Sequence, residues 1–233
     1  MNTFLKLALI GGLSTLGGQF VLSGTAHAKC SDNAGPEVDW SGCRKRSIIL
    51  SSSDLTKAKM NNIDMIGTDL RQATLTEANL SRAQMARVNA SGANMVSVDL
   101  SKAEGGRVRF LKADLTDANL EKSVFFRGEF TGSKMSGANL NKSEFSRSDF
   151  SGVDLTGADL SFANFSRAQF KGAKLDETNW ETSWTYLTRF EGVDLTNVTN
   201  LTQGQIDISC GDADTKLPAG LTAPASWPCS EDD

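Results

Sequence analysis

Five arginines stand at intervals of 20 residues, Arg87, Arg107, Arg127, Arg147 and Arg167, and a second basic series, Arg82, Lys102, Lys122 and Lys142, runs five residues ahead of it. If the fold brings residues 20 apart into register, each series becomes a ladder of like charge. Such a ladder is suited to docking an anionic glycan, a lipid headgroup or an acidic protein surface. Four cysteines form two local groups, Cys30 with Cys43 and Cys210 with Cys229. Short-range pairs close the smaller loops, so these two disulfides are the expected connectivity. The spacings of 13 and 19 residues match no C-x-x-C zinc motif. Carboxylates are plentiful, 28 in all, which would supply a glycosidase if two of them faced each other across a cleft.

The single histidine, His27, falls in the first 28 residues, which read as a secretory signal peptide. Lys6 is the only charge there, an apolar run from Leu7 to Leu22 follows, and Ala26-His27-Ala28 supplies small residues at a signal-peptidase site. Cleavage is expected after Ala28. The run is broken by Gly11, Gly12, Gly17 and Gly18 and is short for a membrane span, so an uncleaved anchor is the weaker reading. A lipid anchor is weaker still, with Lys29 before Cys30 where a small residue is usual. Export to a periplasm, a lumen or the outside medium is the expected localisation, with no stable membrane insertion after cleavage. The mature chain then has no histidine, which excludes Ser-His-Asp and Cys-His nucleophile pairs, His-ligated zinc and imidazole bases.

The whole chain has 233 residues, 39% hydrophobic and 22% charged, with a net charge of −4. That composition excludes a multi-span membrane protein and a disordered polyampholyte, and the acidic balance argues against a general nucleic-acid binder. What must position the basic ladders is an internal repeat. From residue 40 to 195, 28 of 32 positions divisible by five are Leu, Met, Phe or Trp; the exceptions are Lys45, Ala90, Gly105 and Thr185. Two residues before each of these the side chain is small or β-branched, as at Ala58, Ala73, Val98 and Ala113, and Asp or Asn is favoured between them, as at Asp69, Asn79, Asp99 and Asn119. A period of five fits neither helix nor strand and requires a corner in every pentad.

The segments Ala113-Asp114-Leu115-Thr116-Asp117-Ala118-Asn119-Leu120 and Ala158-Asp159-Leu160 closely resemble the A(D/N)LXX motif of pentapeptide-repeat proteins. The resemblance covers residues 38 to about 197. It implies an all-β, right-handed quadrilateral β-helix in which four pentads make one square coil and two side chains per pentad point inward. Independently of the family, Phe110, Phe130, Phe150, Phe170 and Phe190 recur at steps of 20, as do Phe125, Phe145 and Phe165. These become two internal aromatic columns in a rod of about eight coils, roughly 38 Å long at the strand spacing of about 4.8 Å. The organisation expected is a signal peptide over 1–28, an N-terminal cap over 29–37, the β-helix over 38–197, and a C-terminal cap or tail over 198–233. In that last part Thr202-Gln203-Gly204-Gln205 reads as a capping box opening a short helix that ends near Cys210 and Gly211. The tail through Trp227 and Cys229 is expected to fold over the last coil, rather than trail as an acidic terminus.

Outward positions sort onto four faces. The arginine face, with Arg44, Lys45 and Arg46, sums to +5 after Asp64, Glu104 and Glu144, whereas the opposite face sums to −5. Phe126, Phe162, Trp184 and Tyr186 lie off the inward lattice beside the arginines and are expected on the surface. Two readings of this face stand open: a docking surface for an anionic polymer or acidic protein, or a solvated wall in which Glu104 and Glu144 pair with the arginines. The class expected is a non-enzymatic exported scaffold or interaction module with no cofactor, catalytic residue or metal. The family resemblance also raises DNA mimicry towards topoisomerases, which an export signal disfavours. A carboxylate glycosidase is disfavoured because no insertion breaks the lattice to form a cleft.

Overall fold

The computed structural model describes residues 29–230. The expected signal peptide, its cleavage point after Ala28 and the final acidic residues 231–233 lie outside the described residues.

Each pentad gives two residues to a turn and three to an extended segment whose middle residue forms a parallel bridge. Bridges join residues 20 apart, from Asp39↔Lys59 through Asn179↔Thr199, so successive coils stack in register along four ladders. The turn is closed by a backbone bond such as Ala58 N to Leu55 O, 3.0 Å, and its second residue is left-handed, φ 57° at Lys57. That is the hand a type II turn demands of its third residue. The Asp or Asn before each lattice residue serves the same corner. Asn79 Oδ1 accepts the Ser81 backbone N–H at 3.0 Å, and Asp114 and Asp154 accept the N–H groups of Thr116 and Thr156 in the same way.

The first and third residues of the extended segments point inward and are buried, apart from half-buried positions such as Lys45, Ile48, Ser53 and Ala173. Their alternation with the exposed middle residue is the ordinary period of two of a strand, restarted at each corner. The two phenylalanine columns fill the interior of the second half of the rod. Phe130 and Phe150 stack at 4.8 Å and 4° from parallel, and Phe145 and Phe165 at 5.7 Å and 6°. Across the columns the contacts are edge-on, as for Phe145 with Phe150 at 5.3 Å and 77°. Both geometries are favourable for aromatic quadrupoles, so one packing rule propagates from coil to coil.

The four lattice exceptions have local explanations. Ala90 and Gly105 stand on the coil just before the first ring of each column, Phe110 and Phe125, where the core changes from Leu and Met to Phe. A side chain on Gly105 would meet Val108 Cγ1 at 2.8 Å and the Met85 backbone at 2.9 Å. Lys45 sits in the first coil with its ammonium 3.9 Å from the centre of the Trp40 ring, a cation–π contact that shields the tip. Thr185 is buried beneath the last coil and donates its hydroxyl to Gln205 O at 2.7 Å.

Both ends are closed. Cys30 is bonded to Cys43, which is buried in the first coil, with Cα atoms 5.4 Å apart, and Cys210 is bonded to Cys229 with Cα atoms 5.5 Å apart. Two further rungs, Arg189↔Cys210 and Asp194↔Lys216, carry the ladder past residue 197 at spacings that have grown to 21 and 22 residues. The first extra residue is taken up before Cys210, in the stretch that contains the helix α1, Gln203–Asp207, and the second in the turn at Asp212–Thr215 between Cys210 and Lys216. Gln205 Oε1 accepts the Thr202 N–H at 2.9 Å, and Gln205 Nε2 donates to Trp180 O and Ser183 O, both at 2.9 Å, plugging the last coil. The helix stops at Asp207, short of the expected end near Cys210, because Cys210 must return to extended backbone to pair with Arg189. Beyond it Leu217, Leu221 and Trp227 pack partly buried against the core. Trp227 donates from its indole nitrogen to Ser209 O at 2.7 Å and lies so close over Gly211 that a Cβ there would fall 2.3 Å from the ring.

Candidate docking face

The arginine ladder occupies one corner of five successive coils, and the series Arg82, Lys102, Lys122 and Lys142 occupies the preceding corner. One wall lies between them, with the outward residues Gln84, Glu104, Val124, Glu144, Asn164 and Trp184 bridged in a single column. Each of the arginines fills the left-handed second position of its turn, with φ between 53° and 58°. That backbone hand turns the side chain out at the corner, where it meets solvent. Arg87, Arg107, Arg127 and Arg147 are exposed, whereas Arg167 is only half-buried and its Nε is buried without a hydrogen-bond partner.

Among the described residues, none of the five ladder arginines enters an ion pair within 4.0 Å. The pairing of Glu104 and Glu144 with the arginines, which one of the two open readings of this face included, is therefore not found. Glu144 is engaged along its own column, accepting Asn164 Nδ2 at 2.7 Å and the Ser146 N–H at 2.9 Å. Of the other basic residues on this side, Arg44 and Arg46 contact Asp64, and Lys122 pairs with Glu121.

The opposite column shows a different arrangement. Asp114 pairs with Lys134 at 3.2 Å, Asp154 with Lys174 at 3.3 Å and Asp194 with Lys216 at 2.9 Å, so charges alternate along the rod and cancel in place. The Thr196 hydroxyl and the Lys216 ammonium together hold the Asp194 carboxyl down, to about 2. The same scaffold therefore carries one column of alternating sign and one of single sign. Like charges about 4.8 Å apart repel, by about 1 kcal/mol at 4 Å even in bulk water.

The four aromatic residues assigned to the surface are on it: Phe126 is 47% exposed, Phe162 46%, Trp184 55% and Tyr186 45%. All four sit on the wall between the two basic corners or on those corners themselves. Phe162 lies at the end of the lysine series with Lys142 Nζ 5.7 Å from its ring centre. Phe126 folds back over Gly106 of the preceding coil, forming a notch of about 210 Å³ lined by Ala86, Arg87, Gly106, Arg107 and Phe126. Sequence reasoning missed this notch, because its signal is the absence of a side chain at Gly106, one coil away from the ring. Among the described residues no group of three or more His, Cys, Asp or Glu side chains is arranged to hold a metal ion, and no helix is long and apolar enough to cross a membrane.

The chain matches the family model for a pentapeptide repeat region over residues 103–180 and that for pentapeptide repeats in eight copies over 41–72, 48–84 and 63–102. It belongs to the pentapeptide-repeat family. Similar solved structures include HetL, a pentapeptide repeat protein involved in heterocyst differentiation regulation from the cyanobacterium Nostoc, with 20% identity, a TM-score of 0.47 and coverage of 79% of this chain and 91% of that one. QnrB1, a plasmid-mediated fluoroquinolone resistance protein, shows 18% identity, a TM-score of 0.36 and coverage of 80% and 92%. A pentapeptide repeat protein from the thylakoid lumen of Arabidopsis thaliana shows 19% identity, a TM-score of 0.22 and coverage of 67% and 80%. No curated protein matches the chain.

Proposed function

We propose that this protein is a non-enzymatic exported interaction module that docks an anionic partner on its arginine face. The partner is a glycan, a lipid surface or an acidic protein. The observation that carries the proposal is the single-sign ladder: Arg87, Arg107, Arg127 and Arg147 are exposed, stacked and without ion pairs, on a scaffold whose opposite column alternates Asp with Lys. A wall kept only for solubility has no need to stack one charge in register, whereas an anionic partner relieves the repulsion on binding. Mimicry of DNA fits less well. The lysines paired with Asp114, Asp154 and Asp194 interrupt the acidic face at every second coil.

Binding of the purified, disulfide-bonded protein to immobilised anionic glycans and to anionic vesicles, at low and physiological salt, tests this directly. The parent protein is expected to bind in a salt-sensitive way, and the variant with Arg107→Glu, Arg127→Glu and Arg147→Glu to lose that binding. Equal, negligible binding by both would make the face a solvated wall.

A further inference from the structure

Resting on that reading of the arginine face, we infer that the notch at Phe126 is a subsite for one sugar ring bearing a carboxylate, and that the partner is a linear hexuronate polymer lying along the rod. Three features converge. First, the Phe126 ring is half exposed yet held in place, because it lies down over Gly106: a Cβ on Gly106 would fall 2.4 Å from Cζ of the ring. A ring whose Cζ and Cε end rests against the wall holds an apolar surface in place, and such a surface suits the C–H face of a sugar. Second, Ala86 and Gly106 border, beside the ring, a shallow open hollow of about 210 Å³, on the scale of one sugar ring. Third, the two remaining lining residues are Arg87 and Arg107, both exposed and without an ion pair among the described residues, so two cationic side chains border the hollow and suit a carboxylate on that ring.

The geometry of the rod extends this to a polymer. Arg127 and Arg147 continue the ladder beyond the notch at the coil spacing of about 4.8 Å, and a polymer with one carboxylate per sugar offers one charge for each arginine. Nucleic acid offers charge more densely, at about one phosphate per 3.4 Å of each strand in a duplex. A lipid surface would call on a tip or an inserting segment, but these rings stand along the side of the rod. The other exposed aromatics, Phe162, Trp184 and Tyr186, lie on the same wall and its corners further towards the C-terminal end, where they extend the aromatic surface. Other surface hollows differ: one of about 620 Å³ between Ser51 and Lys112 is lined by Ser, Arg, Gln, Gly, Leu and Lys and contains no ring.

The test uses calorimetry with a tetragalacturonate probe, beside an uncharged glucose tetrasaccharide, a hexaglutamate peptide, anionic phosphatidylserine vesicles and a single-stranded oligonucleotide. The parent is expected to bind tetragalacturonate and not the neutral tetrasaccharide. Phe126→Ala is expected to weaken tetragalacturonate by about tenfold while leaving hexaglutamate within about twofold, since a ring-stacking contact is lost and the charges are kept. Gly106→Ala, which must lift the ring without touching any charge, is expected to behave like Phe126→Ala, with an unchanged thermal midpoint confirming the fold. Tetragalacturonate binding that Phe126→Ala and Gly106→Ala leave intact overturns the subsite. If the triple Arg→Glu variant still loses binding in that case, the arginine face survives without it. Preferential binding to hexaglutamate, vesicles or oligonucleotide also overturns the hexuronate assignment while keeping the face. No binding to any anion overturns both.

Discussion

Arg107 adopts a φ of 57°, in the region where an L side chain crowds its own backbone and glycine does not. Another corner of the rod shows the alternative, with glycines at Gly132, Gly152, Gly172 and Gly192 at the same step of the turn. If the arginine serves docking rather than folding, Arg107→Gly should be more stable than the parent, by about 0.5 to 1 kcal/mol in urea unfolding. A clear loss of stability would show that the side chain supports the fold. These left-handed corners were the least legible residues in the sequence. Arg, Lys, Glu and Ser occupy many of them, and none of these types signals a turn, so the charged series read as surface without revealing the backbone that holds it. Asp194 makes a second prediction at this scale. Its carboxyl is held down to about 2, against an ordinary value of 3.8, so the ionised form is favoured in the folded protein. The stability it contributes is present above about pH 4 and is lost as the pH falls towards 2. Amide protection in the Cys210–Lys216 stretch, corrected for the intrinsic pH dependence of exchange, should fall over that window, and Asp194→Asn should lower the protection above about pH 4 and reduce its pH dependence, leaving the part that Asp212 contributes.

The phenylalanine columns and the C-terminal cap are the elements that fix how the ladders sit. Phe150 has stacked neighbours on both sides, Phe130 at 4.8 Å and Phe170 at 5.1 Å, and edge contacts with Phe145 and Phe165. Truncation to alanine leaves a ring-sized void between coils that cannot collapse without breaking register, so Phe150→Ala should cost about 3 to 5 kcal/mol in urea unfolding. In the cap, Gly211→Val drives a side chain into the Trp227 ring. A loss of about 1 to 3 kcal/mol is expected, with the Trp227 environment changing in fluorescence before the β-helix unfolds. The columns could be read directly from the sequence, since a step of 20 in phenylalanine is a statement about stacking. The cap could be read only in outline. Thr202 to Gln205 announced a helix, but its end depends on Cys210 resuming the ladder, and the drift from 20 to 21 and 22 residues leaves no mark in residue type.

The rod is electrically two-sided, with charges that alternate on one column and repeat on another. Its interior is nearly uniform, so its individuality lies in the walls and the ends. Because a solenoid exposes open rungs only at its tips, the disulfides act where unfolding would begin. Reducing both bridges should cost about 2 to 4 kcal/mol for each, with exchange rising first at residues 29–45 and 200–230 and only later between 100 and 160. The walls are where the sequence was most informative about function and least complete. The stacked arginines and the four surface aromatics could be placed from the 20-residue step alone. That Glu104 and Glu144 leave the arginines unpaired, and that Gly106 lets Phe126 rest against the wall, follow from side-chain directions that no periodicity encodes. The central claim is that the unpaired ladder is a docking surface, and the most direct test is the affinity of the parent and of the Arg107→Glu, Arg127→Glu, Arg147→Glu variant for an anionic glycan as salt is raised. A parent affinity that falls steeply with salt, together with no measurable binding by the variant, is the predicted result. Indistinguishable behaviour of the two proteins would contradict it.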